Sequence, residues 1–189
     1  MDLDNLIESR KSVKKFTSKK PDWRYILECV DAMRHAPKAG NNCTLKIILV
    51  SDPEKIEKLA EASQQPFVST AHYVLVVCSV PKILLNAYEE KNGEVYNRQQ
   101  SGAAIQNFLL KIEEVGLATC WVGHFVEDQI KKTLSIPERT QVEAIFPIGF
   151  EAKIKGQKTT EKRRISLDKI IYFEKYGNKR MKKVGKMSA

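Results

Sequence analysis

The sequence predicts an α+β domain in which helices cover a small central sheet, and two observations support that fold class. Three apolar runs, residues 45–50, 73–79 and 141–150, have the length and composition of buried strands. Helical patterns with caps or apolar stripes surround these runs and outnumber them. Because few strands must be covered by many helices, the two kinds of element are expected to form separate layers.

Each predicted helix has its own start, stop or apolar stripe. The predicted helices are a short one near residues 3–7, one that follows Asp22 and ends before Pro37, one over residues 53–62, a long one over about residues 96–115, one from Glu127 that ends at Pro137, and one over residues 166–173. The second helix has the stripe Trp23, Ile26, Leu27, Val30 and Met33. The long helix turns Ala103 or Ala104, Phe108, Leu109, Ile112 and Val115 inward, and Gly116 is suited to end it.

Length and composition exclude several classes of protein. The 189 residues and 21.5 kDa fit one domain, predicted over residues 1–174, with a basic tail over residues 175–189. With 42% hydrophobic and 29% charged residues, the chain is not wholly disordered. No apolar run reaches the roughly 18 residues of a membrane helix, and the first residues lack the apolar region of a signal peptide. The four cysteines are widely spaced, so we expect a cytoplasmic protein without a disulfide framework or a metal site.

The net charge of +9 comes mostly from the tail. Residues 175–189 hold six basic residues and no acidic one, which leaves 26 basic and 23 acidic residues, a charge of +3, for residues 1–174. The ordinary interpretation of such a tail is a solvated chain end. Binding of nucleic acid or another anionic surface by the tail is the alternative.

The first segment with candidate binding chemistry is residues 9–16, the basic segment. It crowds Arg10, Lys11 and Lys14 around the hydroxyl of Ser12. Arginine can grip a phosphate with two prongs, and lysine can neutralise it as a point charge. A solvated basic turn at the end of a helix, where cations are favoured, explains the same residues.

Two further segments combine small residues with tight backbone geometry. Residues 36–43, the small-residue turn, contain proline, glycine and asparagine, which leave main-chain groups free to face a ligand or simply form a turn. Residues 116–123, the glycine-bracketed segment, end in Gly123, which permits close approach of another surface. Within that segment, Trp121 is expected to be a core residue more than a platform on which a ligand stacks. Cys120 is expected to be a small buried residue, because no activating base accompanies it.

Several catalytic motifs are absent from the sequence. It has no GxGxxG after a strand, no GxxxxGK[ST], no HExxH and no GxSxG. The histidines, His35, His72 and His124, are not spaced like metal ligands. Triad, P-loop and zinc catalysis therefore have no support.

In order and spacing, these segments resemble the nitroreductase family of flavin mononucleotide (FMN) oxidoreductases. Residues 10–16, RKSVKKF, resemble the family's N-terminal signature RRSVRxF, and residues 36–41, APKAGN, resemble its APSAGN turn. Residues 116–123, GLATCWVG, are very similar to its GLGTCWIG stretch. Residues 136–138, 144–150 and 162–168 resemble later family elements, so the resemblance spans about residues 3–173.

The resemblance implies a three-layer α+β fold and an intertwined homodimer with two FMN sites, each built from both chains at the subunit interface. It implies that the flavin carries the chemistry, with NADH or NADPH as reductant, a small-molecule acceptor, and no catalytic side chain. No specific nucleic-acid partner and no membrane partner are expected.

The resemblance also implies which residues contact FMN. Its phosphate and nearby groups are assigned to Arg10, Ser12, Lys162 and Arg164, with Lys11 beside them. The flavin ring is expected to contact Lys14 at its pyrimidine edge and Cys120, Val122 and Gly123 along its face. Gln65 is assigned to the ring edge by a looser alignment. The partner subunit is expected to contribute Pro37, Lys38, Ala39 and Asn41. A cation at Lys14 would stabilise the anionic reduced flavin.

Some residues depart from the family pattern. Lys38 replaces a serine, and residues 42–45 replace the common xQPW, so the substrate class stays open. Tyr73 follows Ala71-His72 where Ala-Pro is frequent. Tyr88 and Tyr96 lie in a polar stretch, residues 79–98, that varies among family members, and they are candidate lid aromatics.

Three functions therefore stay open. The first is an FMN-dependent reductase that passes hydride from NAD(P)H to a nitroaromatic, quinone or similar acceptor. The second is a flavin-binding relative with another role, such as flavin remodelling, dehalogenation or storage. The third is an anionic-surface binder that acts through its tail.

Overall fold

The computed structural model describes residues 2–152 and 165–181. The chain divides after Ala152 into two compact units, which are described separately. The predicted single domain over residues 1–174 stays a prediction.

The helices and strands of the first unit are α1 (Leu3–Ser9), α2 (Trp23–Met33), β1 (Leu45–Val50), α3 (Pro53–Ser63), β2 (Tyr73–Ser79), α4 (Lys82–Glu114), β3 (Ala118–Thr119), α5 (Glu127–Leu134) and β4 (Gln141–Gly149). Short 3₁₀ turns lie at Ala39–Asn41 and Pro66–Thr70. The described part of the second unit contains α6 (Leu167–Ile170), which is shorter than the helix predicted over residues 166–173.

The four strands form one antiparallel sheet in the order β1-β2-β4-β3. Strand β2 is central, and every one of its residues is buried. The register between β2 and β4 slips once, because Val77 pairs with Ala144 while Cys78 pairs with Val142. This bulge leaves Glu143 without a strand partner at the point where the side chains of β4 exchange faces.

Two apolar cores lie on opposite faces of the sheet. On one face, Leu75 and Val77 pack in a core shared with α2 and α4. On the other face, Val74 and Val76 pack in a core shared with α3 and α5. The sheet is therefore a buried middle layer between two layers of helices, which confirms the predicted three-layer α+β fold.

Helix α2 buries a narrower stripe than predicted. Asp22 caps the helix as expected, since its carboxylate accepts a hydrogen bond from the amide of Arg24. Ile26, Cys29 and Met33 are buried, whereas Trp23 is 50% exposed and Leu27 is 46% exposed. Cys29 lies three residues after Ile26 and four before Met33, so these three share one helical face, and Trp23 and Leu27 lie beside it.

Helix α4 begins earlier than predicted and contains a break. It starts at Lys82, and the backbone leaves helical geometry at Tyr88 and Glu89, where Glu89 has φ +63°. After the break, a Cβ on Gly93 would lie 2.7 Å from the Cα of Leu85, so only glycine permits this close approach. The polar sequence of residues 85–98 conceals this folded-back start.

Helices α4 and α5 each end beside a residue with a positive φ. Gly116 has φ +73° and ends α4 as predicted. Helix α5 stops at Leu134, with Ser135 in the left-handed region, rather than at Pro137.

Among the described residues, no helix combines the length and apolar character needed to cross a membrane.

Candidate functional site

The basic segment lies along the edge of the sheet beside β3. The backbone amide of Val13 donates a hydrogen bond to the carbonyl oxygen of Thr119 at 2.9 Å. Further along, the amide of Thr17 donates to the carbonyl of Phe150 at 2.8 Å, and Phe16 forms a bridge with Glu151. Segments more than 100 residues apart in sequence are therefore held side by side by backbone bonds.

Phe16 fastens the basic segment to the end of β4. A Cβ on Gly149 would lie 2.9 Å from the Phe16 ring, closer than carbon atoms pack. The missing side chain therefore makes the space that this aromatic ring fills.

The Lys14 ammonium faces the Pro66–Thr70 turn. Its Nζ atom lies 5.2 Å from the centroid of the Phe67 ring, within the range of a cation–π contact. Gln65 immediately precedes this turn and is half-buried. Gln65 therefore lies two residues before the aromatic ring that Lys14 contacts, and its place beside a flavin ring stays a prediction.

Cys120 lies beside two residues of the basic segment. Burial raises the pKa of its thiol, while the charge of Lys14 and a hydrogen bond with Ser12 act in the opposite direction. The residue is only 5% exposed, which confirms it as a small buried residue. Because the raised pKa favours the protonated thiol, Cys120 is not a ready nucleophile.

The remainder of the glycine-bracketed segment is held to β4 and exposed at its end. Val122 and Ile145 exchange backbone hydrogen bonds of 3.1 and 3.0 Å. Gly123 is exposed, and a Cβ there would meet only the Trp121 ring, at 3.7 Å. The surface beside Gly123 can therefore be approached closely by a flat group.

Trp121 was expected in the core, and that expectation was wrong. Its side chain is 44% exposed, with the ring centroid 5.7 Å from that of Phe146. Cys120 and Val122 on either side are buried. In this extended stretch successive side chains point to opposite sides, so Trp121 points outward.

The cations of the basic segment have different surroundings. Lys11 forms an ion pair with Glu151, at 2.6 Å between Nζ and Oε1. Arg10 caps the end of α1, with its amide bonded to the carbonyl of Leu6. Half of the predicted phosphate cluster, Lys162 and Arg164, lies outside the described residues.

The small-residue turn is held by α2 and α4. The Lys38 ammonium donates hydrogen bonds to the carbonyl oxygens of Arg34, at 2.7 Å, and Ala36, at 3.2 Å. The amide of Ala39 donates to the side-chain oxygen of Gln100 at 3.2 Å. The charge of Lys38 therefore compensates the negative end of α2.

The exposed residues of this turn are available to another surface. Pro37 and Asn41 are exposed, and Asn41 has φ +58°. Hydrogen bonds among the described residues place the turn with α2 and α4, rather than with the basic and glycine-bracketed segments.

Sequence reasoning missed three residues that shape these segments. Gln100 holds the small-residue turn, Phe67 contacts Lys14, and Glu151 pairs with Lys11. A signal existed for Gln100, because it is a polar residue on the buried face of a helix and such groups need hydrogen-bond partners. Within residues 2–152 and 165–181, no cluster of three His, Cys, Asp or Glu side chains could hold a metal ion.

Comparison with known proteins identifies the family. The Nitroreductase family matches residues 7–71 and 62–150, which together span most of the chain. The chain belongs to the nitroreductase family. Its family match includes the basic segment, the small-residue turn and the glycine-bracketed segment.

Individual nitroreductase relatives agree with this assignment. A protein of Archaeoglobus fulgidus, provisionally named NADH dehydrogenase/NAD(P)H nitroreductase, is 26% identical over 150 residues, covering 77% of this chain and 83% of its own. A nitroreductase family protein from Clostridium difficile superposes with a TM-score of 0.80 at 25% identity, covering 93% of this chain and 99% of its own. The NADPH:FMN oxidoreductase of Vibrio harveyi, solved with NAD⁺, has the same fold, with a TM-score of 0.77 at 21% identity and coverage of 92% and 77%.

Proposed function

We propose that the protein is an FMN-dependent oxidoreductase that takes hydride from NADH or NADPH and reduces a nitroaromatic, a quinone or a similar small molecule. One observation carries the proposal: the Val13–Thr119 hydrogen bond brings the basic segment beside the glycine-bracketed segment. The family match and the relatives' names support the same activity.

The chemistry of these residues fits FMN. A phosphate needs cations and hydroxyl donors, and Arg10 and Ser12 supply both within three residues. A flat ring needs an open surface with free backbone, and the exposed Gly123 supplies that surface. When bound, FMN would accept hydride at its N5 atom and pass electrons to the acceptor.

Each residue of this chain then has a defined task. Arg10 and Ser12 hold the phosphate, together with Lys162 and Arg164, and Lys11 contributes less because Glu151 already balances its charge. Lys14 and Gln65 face the pyrimidine edge of the ring. Cys120, Val122 and Gly123 form the surface along the ring and exclude water from one of its sides. The charge of Lys14 favours the anionic reduced flavin over the neutral oxidised form.

A homodimer completes the proposed site. Pro37, Lys38, Ala39 and Asn41 of the partner subunit would cover FMN from the other side. The apolar side chains of Leu3, Ile7, Trp23 and Leu27 on α1 and α2 are each close to half exposed or more, which is unusual for a monomer and favours burial against a second copy.

The acceptor has a candidate contact surface in an aromatic pair. Tyr88 and Tyr96 form an edge-to-face pair with ring centroids 5.2 Å apart, next to the small-residue turn. Flat aromatic acceptors suit such a pair.

The alternative to a reductase is a flavin-binding protein with another role, which would be flavin remodelling, dehalogenation or flavin storage.

Anaerobic stopped-flow spectroscopy tests the proposed reaction. NADH or NADPH should bleach the flavin absorbance near ~450 nm, and a nitroaromatic or quinone should restore it. Flavin that binds but is bleached by neither nucleotide would favour the alternative role. Sedimentation of the same preparation tests the dimer.

A further inference from the structure

One buried carboxamide of α4 holds the small-residue turn from inside the subunit. Gln100 is 6% exposed and lies 56 to 61 residues from its partners in sequence. Its side-chain oxygen accepts a hydrogen bond from the amide of Ala39 at 3.2 Å. Its nitrogen donates to the carbonyl oxygen of Asn42, at 3.3 Å, and to the hydroxyl of Thr44, at 2.6 Å. A single side chain therefore bonds to both ends of the 3₁₀ turn.

The partners of Gln100 suit a carboxamide. The backbone amide of Ala39 can only donate and the carbonyl of Asn42 can only accept, so the group between them must offer both an acceptor and a donor. A carboxamide does so without charge, whereas a carboxylate lacks the donor and a thioether lacks the N–H. Because Thr44 is fully buried, loss of its bond to Gln100 would leave polar groups unpaired away from water. The three bonds therefore fix the position of the turn against α4.

This anchoring determines which groups the turn presents outward. Gly40 and Asn41 both have positive φ, of +54° and +58°. Tyr88 packs over Gly40, where a Cβ would collide with the tyrosine hydroxyl. The amide of Ala39 is occupied by Gln100, while Asn41 is exposed at the outer side of the turn. A left-handed residue other than glycine keeps that conformation only while the surrounding contacts hold it.

We propose that Gln100 is a positioning residue for the FMN bound beside the basic segment of the partner subunit. The inference rests on the proposed function, in which the small-residue turn of one chain covers the FMN of the other. Gln100 is buried behind the turn and acts through it, by keeping its outer groups in the position that the flavin requires. A substitution of Gln100 therefore weakens the site that contains Arg10 of the other chain.

Substitutions of the anchoring residues give the first measurement. Gln100→Met removes all three bonds and preserves the length of the side chain. It should raise the dissociation constant of FMN about tenfold, as expected when one or two neutral hydrogen bonds are lost. Thr44→Val removes one bond, should raise the constant less, and serves if Gln100→Met does not fold. Asn97→Leu is the matched control and should leave the constant unchanged, because this buried residue of α4 bonds to Ser79 and Glu143 instead of the turn.

Mixed dimers, made by co-expression of two differently tagged chains, test the action across subunits. FMN uptake is measured at a concentration that fills most wild-type sites and few sites of the Arg10→Ala or Gln100→Met protein. With Arg10→Ala on one chain and Gln100→Met on the other, both substitutions fall in the same site, so the dimer should bind one FMN. With both substitutions on one chain and a wild-type partner, each site carries one substitution, and the dimer should bind far less.

The opposite pattern would overturn the proposal, because Gln100 would then act on the FMN of its own chain. Equal uptake by the two arrangements, or an unchanged dissociation constant in both Gln100→Met and Thr44→Val, would overturn it as well. In each case the proposed oxidoreductase activity stands, since the wild-type protein still takes up FMN. Wild-type protein that takes up no FMN would overturn the proposed function, and this inference with it.

Discussion

The backbone amide of Val13 lies 2.9 Å from the carbonyl oxygen of Thr119 and donates a hydrogen bond to it. This bond joins the basic segment to the strand that precedes Cys120. The bond holds the neighbouring side chains of Ser12 and Lys14 beside the Cys120 thiol. The positions of these side chains therefore depend on backbone geometry more than on attraction between the side chains. Changes that move the basic segment should therefore affect the cofactor and the fold together.

The first prediction concerns Gly149→Ala. The new Cβ would meet the Phe16 ring at 2.9 Å, so either the ring or the strand must shift. We expect the free energy of unfolding in urea to fall by about 1–3 kcal/mol and FMN affinity to fall as well. Gly102→Ala is the control, because nothing lies within 4 Å of its Cβ and helical alanine is favoured over glycine. Equal stability of the two variants would contradict the packing argument.

The second prediction concerns Lys14→Gln. Removing its charge should lower the midpoint potential of bound FMN by about 20–60 mV, since a nearby cation stabilises the anionic reduced flavin by about 1–3 kcal/mol. Spectroelectrochemical titration measures this potential. Lys15→Gln removes the neighbouring exposed charge and should have a smaller effect. An unchanged potential in Lys14→Gln would show that its ammonium lies away from the ring.

The fold was predictable because its signals are local. The buried strands β1, β2 and β4 are continuous apolar runs, and Gly116 ends α4 with a positive φ. The folded-back start of α4 was not predictable, because it depends on contact between Gly93 and the backbone of Leu85, which lies on the other side of the break in the same helix. Sequence periodicity reports which face of a helix is apolar but not where the chain breaks and returns.

The third prediction concerns Arg10→Ala. Loss of one charge-assisted contact to phosphate is worth roughly 1.5–3 kcal/mol, so the dissociation constant of FMN should rise about ten- to a hundredfold. Arg24→Ala is the control, since that guanidinium is bound by Asp22, the N-cap residue of α2. Comparable losses in the two variants, seen by fluorescence titration, would mean that Arg10 has no special place in phosphate binding.

The fourth prediction concerns pH and the buried thiols. Burial raises the pKa of Cys29 to about 12 and the pKa of Cys78 to about 11. Both thiols therefore stay protonated in the folded chain at a pH where the same thiols in the unfolded chain ionise, near the ordinary thiol pKa of 9.0. The folded state then binds more protons, and stability falls as pH rises above that value. The free energy of unfolding falls between about pH 8 and pH 10, and Cys29→Ala should make this fall about 1 kcal/mol smaller. Cys43→Ala, at an exposed site, should leave the loss unchanged.

The candidate site was only partly predictable from the sequence. The motif order predicts which segments form the candidate site, and the structure brings Ser12, Lys14 and Cys120 together. The sequence did not indicate that Glu151 pairs with Lys11 or that the Lys38 ammonium caps α2. Both depend on where side chains of separate elements meet, which no short motif encodes.

Binding of FMN is tested by titrating FMN into the cofactor-free protein and following the quenching of flavin fluorescence. We expect saturable quenching at one FMN for each chain. Fluorescence that stays at the level of free FMN as the protein concentration rises into the micromolar range would show that the chain does not bind FMN.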